Sequence, residues 1–285
     1  MQENIIIVNP DKLAKIKEGL RQGGPDSVHV LSDFDRTLTY HSQNGRKDNA
    51  LIAILNEPGY MPPEYGVKAK ALFEKYFPIE YDPKVPLADK KAAMVEWWSA
   101  VFKNMIAYGL TKDIVERIIR DCRTTLRDGV EDWLDMLSRL KIPLVIFSAS
   151  GLGQESIEIF MGRLKQHDAA IHIMANSFIW DESGRAVGVN DPIIHSYNKD
   201  ETLIHNFPFY SKIKNRRNVV LLGDSFGDVG MIEGFDYDNL LKIGFLSEKV
   251  EENISGFRDV YDVLILGDDS FDYINSLFKE IFLPN

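Results

Sequence analysis

The segment Val28-His29-Val30-Leu31-Ser32-Asp33-Phe34-Asp35-Arg36-Thr37 joins a short, mostly apolar run to a pair of carboxylates. Val28–Leu31 has the length and composition of a buried strand. The same design recurs twice further along. Leu144–Phe147 runs into Ser148-Ala149-Ser150-Gly151, and Val219–Leu222 runs into Gly223-Asp224-Ser225-Phe226-Gly227-Asp228. In an open parallel sheet, ligands bind beyond the carboxyl ends of strands, near the point where strand order reverses. If the three strands are neighbours, Asp33, Asp35, Asp224 and Asp228 meet a hydroxyl and several backbone amides in one crevice.

Working outward, strand and helix patterns alternate after Gly129. Val130–Leu140, Gln154–Lys165 and Ser270–Phe282 read as helices, and Ile171–Ala175, Leu241–Phe245 and Val263–Leu266 as strands. Ser177–Trp180 and Ala186–Val189 read as strands joined by a turn at Glu182-Ser183-Gly184. Asn9-Pro10 opens an amphipathic helix that Gly23-Gly24-Pro25 stops. The alternation predicts an α/β fold, a Rossmann-like doubly wound, mainly parallel sheet covered on both faces. From His41 to Leu126 the texture changes. Pro58, Gly59, Pro62, Pro63 and Gly66 mark an irregular stretch, followed by helical periodicity at Val67–Tyr76, Ala88–Tyr108 and Thr111–Leu126. The expected organisation is a catalytic core of residues 1–40 and 127–285, with an all-helical cap, residues 41–126, inserted after the first acidic pair.

The length of 285 residues suits one large α/β domain or a core with an inserted subdomain. With 33 basic and 43 acidic residues the formal net charge is −10, which repels a polyanion at long range. The dense basic run Lys212–Arg217 reads as a solvated helix end, so no nucleic-acid partner is expected. No apolar run approaches the ~18 residues of a membrane span, and Ile5–Val8 is too short for a signal peptide. One cysteine, Cys122, excludes an internal disulfide and a multi-cysteine zinc site. A reducing, cytoplasmic location is expected, and nothing in the sequence announces a protein partner.

Four carboxylates sharing one crevice raise one another's pKa values, and a divalent cation relieves that repulsion. Oxygen-only ligands suit magnesium, which also binds a substrate phosphate. The spacing of Asp33 and Asp35 lets one carboxylate attack phosphorus while the other handles a proton, and aspartate is an established phosphoryl acceptor.

DFDRTLT, a serine closing the second strand, a downstream lysine and GDSFGD resemble the four motifs of the haloacid dehalogenase superfamily. The chain further resembles the cytosolic pyrimidine 5′-nucleotidase (type III) family. Supporting stretches are Phe77–Pro83 (FPIEYDP), Met94–Trp98 (MVEWW), Ile146–Ser150 (IFSAS), Tyr197–Asp200 (YNKD), Leu221–Asp228 (LLGDSFGD) and Leu240–Leu246 (LLKIGFL). They span nearly the whole chain in family order. The resemblance implies a magnesium-dependent 5′-nucleotidase that hydrolyses nucleoside 5′-monophosphates, pyrimidine ones preferred, through a phospho-aspartate. Asp33 would be the nucleophile and Asp35 the acid/base. Asp33, the Asp35 carbonyl and Asp224 would hold magnesium. Ser148, Ala149 and Lys199 would bind the phosphoryl group, Asp228 would support the metal water or Lys199, and Glu80 would contact the base. His41–Gly66 and Arg36 depart from the family pattern.

Each residue has a plainer reading beside this one. Asp-x-Asp pairs commonly form turns and helix caps, Ser148 and Asp228 sit where N-caps do, and Glu80 could be a surface carboxylate. Trp97 and Trp98, adjacent on a helix, are expected on different faces and in packing roles. A phosphatase of another small metabolite, such as phosphoserine, and a phosphate-binding module without catalysis are the alternative functions.

Overall fold

Val28–Ser32 is buried at all five positions, as a strand covered on both faces requires. It forms the middle of the sheet in a computed structural model that describes residues 4–43, 46–47, 50–82, 84–164, 170–199, 207–234 and 236–283. Chain order is β1 (Ile5–Ile7), α1 (Pro10–Gly23), β2 (Val28–Ser32), β3 (Ser42–Gln43), β4 (Arg46–Lys47), α2 (Leu51–Ile54), α3 (Pro63–Tyr81), α4 (Leu87–Ala107), α5 (Lys112–Asp121) and α6 (Val130–Leu140). There follow β5 (Leu144–Phe147), α7 (Gln154–Met161), β6 (Ile171–Met174), β7 (Phe178–Trp180), β8 (Ala186–Val189), α8 (Tyr210–Ile213), β9 (Asn218–Gly223), β10 (Asn239–Leu246), α9 (Val250–Val260), β11 (Val263–Leu266) and α10 (Asp272–Phe282).

The main sheet has the order β1-β11-β10-β9-β2-β5-β6. Every neighbouring pair is parallel except β1 with β11, so the expected doubly wound, mainly parallel sheet is what the chain forms. From β2 the chain first steps to β5 and β6, then crosses to β9 on the other side and continues to β10 and β11. The order therefore reverses between β2 and β9, and a crevice opens there at the carboxyl ends. The register makes this concrete: Ser32 lies opposite Leu222 on one side and Ile146 on the other.

Several sequence expectations shift. The helix expected over Thr111–Leu126 ends at Asp121, and Cys122 is extended at φ −64°, ψ 145°. The residues after it pair with the chain leaving β2: Thr39 bridges Leu126, Tyr40 N–H donates to the Thr125 carbonyl at 3.1 Å, and Arg127 N–H to the Leu38 carbonyl at 2.9 Å. The stretch 41–126 is not wholly helical, because β3 and β4 pair antiparallel within it. Lys165, the expected end of the second core helix, lies outside the described residues, as does Asp200; the helix itself closes at Met161. Strand β1 and helix α9 carry no strong sequence signal: β1 is three residues on the sheet edge, and α9 fully buries only Phe257. The basic run is not solvated throughout. Arg216 donates to the carbonyls of Pro25 and Val28, both at 2.9 Å, and Arg217 pairs with Asp238 at 2.9 Å.

Helices α3 and α4 pack as a pair through aromatic contacts, and Phe102 of α4 meets Phe178 of β7 edge-on at 5.6 Å. Tyr76 stacks on Trp97 at 5.9 Å, Trp97 on Trp98 at 5.9 Å, and Trp98 on Phe102 at 5.7 Å. Contrary to the helix-face expectation, the two tryptophan rings lean together, only 22° from parallel. The hairpin β7–β8 reaches up to the junction of α4 and α5: Lys112 N–H donates to the Gly184 carbonyl and Ala186 N–H to the Leu110 carbonyl, each at 2.9 Å.

Candidate active site

Asp33 is the first residue beyond β2, and its N–H donates to the Leu222 carbonyl of β9 at 3.0 Å. That bond carries the strand pairing one residue past the sheet and sets the Asp33 carboxylate at the switch point. Lys199 arrives from the segment after the β7–β8 hairpin. Its ammonium donates to Asp33 Oδ1 at 2.5 Å and to Asp228 Oδ1 at 2.8 Å. All three side chains are buried.

Asp228 is held from the other side as well. Its Oδ2 accepts from the N–H groups of Asp224 and Ser225, at 3.1 and 3.0 Å, and from Ser225 Oγ at 2.8 Å. Both oxygens thus have partners, so Asp228 acts as a bracket that orients Lys199 and the Asp224 turn. Gly227 permits the close approach behind it: a Cβ there would stand 2.2 Å from the Ser196 carbonyl oxygen, on the segment that delivers Lys199.

Carboxylate oxygens of Asp33, Asp224 and Asp228 lie within 4.8 Å of one another. Burial pushes Asp224 well above the usual carboxylate range, and repulsion from Asp228 and Asp33 adds to it. Burial also raises Asp33, with Lys199 pulling against it and Asp228 reinforcing it. For Lys199, burial works downward, but the two carboxylates outweigh it and keep the ammonium protonated. One lysine facing three crowded carboxylates leaves negative charge unbalanced, and the donors are all oxygen. That set fits a hard divalent cation such as magnesium.

The other expected residues fall around this cluster. Half-buried Asp35 lies in the turn after β2, and burial raises its pKa against the pull of Arg36 and Lys199. Ser148 and Ala149 follow β5, the strand adjacent to β2, and Ser148 Oγ accepts from Ser150 N–H at 3.1 Å. Glu80, near the end of α3, meets the Lys199 segment rather than the carboxylate cluster. Its Oε1 accepts from Ser196 Oγ at 2.6 Å, and its backbone carbonyl accepts from Tyr197 OH at 2.7 Å and Lys90 Nζ at 2.8 Å. Burial raises the Glu80 pKa, while Ser196 and Lys90 oppose the shift. Nearby, Trp98 and Ile52 close over Gly151, one residue past the Ser148–Ser150 turn.

Sequence reasoning missed Ser196, which takes Glu80, and Arg127. The Arg127 guanidinium is buried beneath the turn that carries Asp35. Ser196 directly precedes the Tyr197–Asp200 stretch, and that adjacency is the signal by which it could have been found. For Arg127 there was none, since an arginine beside Asp-Gly reads as a solvated loop residue.

A parallel sheet whose order reverses between two aspartate-bearing strand ends, with a lysine bridging the carboxylates, defines a phosphoric monoester hydrolase of the haloacid dehalogenase type. The family model described as pyrimidine 5′-nucleotidase (UMPH-1) matches residues 36–282, and the chain belongs to that family. The match begins one residue after Asp35, so the two leading aspartates stand on their geometry. Among curated relatives, the 7-methylguanosine phosphate-specific 5′-nucleotidases of Homo sapiens and Mus musculus are each 33% identical over 282 residues, covering 99% of this chain and 93% of theirs. The crystal structure of cytosolic 5′-nucleotidase IIIB bound to cytidine superposes with a TM-score of 0.86 at 26% identity, covering 99% of this chain and 94% of that one. A substrate-bound phosphoserine phosphatase, 18% identical with a TM-score of 0.52 over 89% of this chain and 97% of that one, shares the fold.

Proposed function

We propose that the chain is a magnesium-dependent 5′-nucleotidase that converts nucleoside 5′-monophosphates to nucleoside and phosphate, pyrimidine nucleotides preferred. The observation that carries this reading is Lys199 bridging Asp33 and Asp228 beside Asp224, in a chain of the UMPH-1 family. Residues 1–40 and 127–285 act as the catalytic core and 41–126 as the cap.

The Asp33 carboxylate attacks phosphorus, and the bond from phosphorus to the nucleoside 5′ oxygen breaks as Asp35 delivers its proton to that oxygen. Asp35 then takes a proton from water as the water attacks the phospho-aspartate, releasing phosphate and restoring Asp33. Lys199 holds the developing phosphoryl charge against the nucleophile, and the Ser148 hydroxyl and Ala149 N–H bind phosphoryl oxygens. Magnesium, held by Asp33, Asp224 and the Asp35 carbonyl, supplies Lewis-acid stabilisation and charge neutralisation. Glu80 exchanges its Ser196 partner for the nucleobase, and α3 and α4 exclude water while substrate is bound.

A second base has specific support, because the mammalian relatives are named for 7-methylguanosine phosphate. A cytoplasmic location is part of the proposal. It is supported by the cytosolic name of the structural relative and by the absence, among the described residues, of a helix long and apolar enough to cross a membrane. The test is phosphate release from CMP, UMP, 7-methylguanosine monophosphate, purine monophosphates and phosphoserine, with magnesium or with EDTA. Release from the first three that EDTA abolishes supports the reading. Release from phosphoserine alone overturns the substrate.

A further inference from the structure

Arg127 lies on the segment that returns from the helical insertion, and its side chain is fully enclosed. Four donor bonds leave the guanidinium. Nε donates to the Thr37 carbonyl at 3.1 Å, and one terminal nitrogen to the Arg36 carbonyl at 2.7 Å and Ser247 Oγ at 3.1 Å. The other donates to the Asp269 carbonyl at 2.8 Å. The plane lies over the Phe245 ring, 4.5 Å from its centroid, and the nearest carboxylate, Asp268, stands 3.9 Å away. Its charge therefore serves backbone carbonyls more than an ion pair, and two of those carbonyls belong to the turn that follows Asp35.

That turn needs holding. Arg36 has φ +64°, a left-handed conformation that L side chains rarely adopt. The dihedral at Arg36 sets the plane of the Asp35–Arg36 peptide, and with it the direction of the Asp35 carbonyl. The N–H of that peptide donates to Thr39 Oγ1 at 2.9 Å, so in a trans peptide the Asp35 carbonyl points the opposite way. Arg127 then fixes the next two peptides by their carbonyls, and Leu38 N–H closes the turn on the Phe34 carbonyl at 3.0 Å.

We infer that Arg127 is a positioning residue for hydrolysis: with Thr39 it locks the Asp35–Thr37 peptides so that Asp35 presents its carboxyl and its carbonyl in register with Asp33. The inference rests on the phosphohydrolase reading above. Lysine cannot replace the fork, because a single ammonium cannot span carbonyls on Arg36, Thr37 and Asp269 together. Arg216 offers a matched control, since it clamps the carbonyls of Pro25 and Val28 at the opposite ends of the strands, away from the crevice.

The experiment compares Arg127→Lys, Arg127→Met, Thr39→Val and Arg216→Met. It measures kcat and KM for CMP and for p-nitrophenyl phosphate (which needs no base contact), thermal stability, and amide hydrogen exchange at Arg36 and Leu38. The inference predicts that Arg127→Lys loses about 100-fold in kcat on both substrates, the cost of a small misplacement of reacting groups. Its KM stays within about threefold, because uniform substrate binding is untouched. Exchange at Arg36 and Leu38 accelerates while exchange in β9 does not. Arg216→Met loses stability but keeps kcat. If the Arg127 variants do not fold, nearly isosteric Thr39→Val decides through the same kcat loss and faster Arg36 exchange.

Loss of stability with kcat retained in Arg127→Lys, or full kcat and unchanged exchange in Thr39→Val, overturns the inference. Wild-type protein that cleaves p-nitrophenyl phosphate but no nucleotide removes the nucleotidase reading alone, and the Arg127 comparison stands on the synthetic ester. No cleavage of either overturns both.

Discussion

Lys199 carries the site's electrostatics at the scale of single residues. It is buried between two carboxylates, and deleting it strands both. Lys199→Met is expected to cost about 3–5 kcal/mol of stability, as breaking a buried pair does, and to abolish measurable turnover; urea unfolding and phosphate release check the two effects. His29 makes a separate prediction about pH. It is buried in β2, its Nδ1 within 2.8 Å of the Arg216 carbonyl, and burial lowers its pKa to about 4. An unfolded chain takes this proton near pH 6.5, so the native state binds fewer protons between pH 6.5 and 4. Stability is full above pH 6.5 and falls as pH drops towards 4, by up to about 3 kcal/mol from this residue. His29→Gln should flatten that part of the stability profile measured by urea unfolding, and an unchanged slope would contradict the assignment. The positions of Asp33, Asp35, Ser148, Asp224 and Asp228 at strand ends were legible because each follows an apolar run with the length and composition of a buried strand. Lys199, far from any such mark, was placed beside Asp33 and Asp228 only through family order, which also named Glu80, whereas the contacts of Glu80 with Ser196 and Tyr197 and those of Arg127 left no sequence signal.

Strands and helices translate those residues into position. β2 and β9 bring Asp33 and Asp224 together because Ser32 registers with Leu222, a pairing of distant segments that no local pattern encodes. Their identity as strands was legible, since both are continuous apolar runs. Their adjacency was inferred from the clustering of acidic residues at their ends. The junction of α4 and α5 with the β7–β8 hairpin was invisible for a similar reason: its contacts are backbone hydrogen bonds, which leave no side-chain signature. At this scale Gly151 is the informative position. A Cβ there would stand 2.3 Å from both Trp98 Cζ3 and Ile52 Cδ1. Gly151→Ala should push α4 off the Ser148 turn at a cost of about 1–3 kcal/mol in packing, raising the KM for nucleotide and shifting tryptophan emission. Unaltered KM and emission would show that this contact does not hold α4 over the site.

For the molecule as a whole, the net charge of −10 and the buried carboxylate cluster point the same way. A cation bound by Asp33 and Asp224 stabilises the native state alone, by about 2.7 kcal/mol at a hundredfold excess over its dissociation constant. Magnesium should therefore raise the melting temperature of the wild-type chain, and Asp224→Asn should remove that response. An equal rise in both would place the cation elsewhere. Composition foretold the acidic, single-cysteine character of the chain, and strand-helix alternation foretold the sheet. The pairing of the chain leaving β2 with the chain that follows α5 was not legible, because the Thr39–Leu126 bridge joins residues far apart in sequence. The central claim is that Asp33 accepts the phosphoryl group of a nucleotide. Borohydride quenching during turnover of CMP with magnesium, followed by peptide mass mapping, tests it directly, because hydride reduces an acyl phosphate to an alcohol. The account predicts homoserine at position 33, with Asp35 unmodified and no reduction in the absence of nucleotide. Reduction at Asp35 instead, or turnover that leaves Asp33 intact, would contradict it.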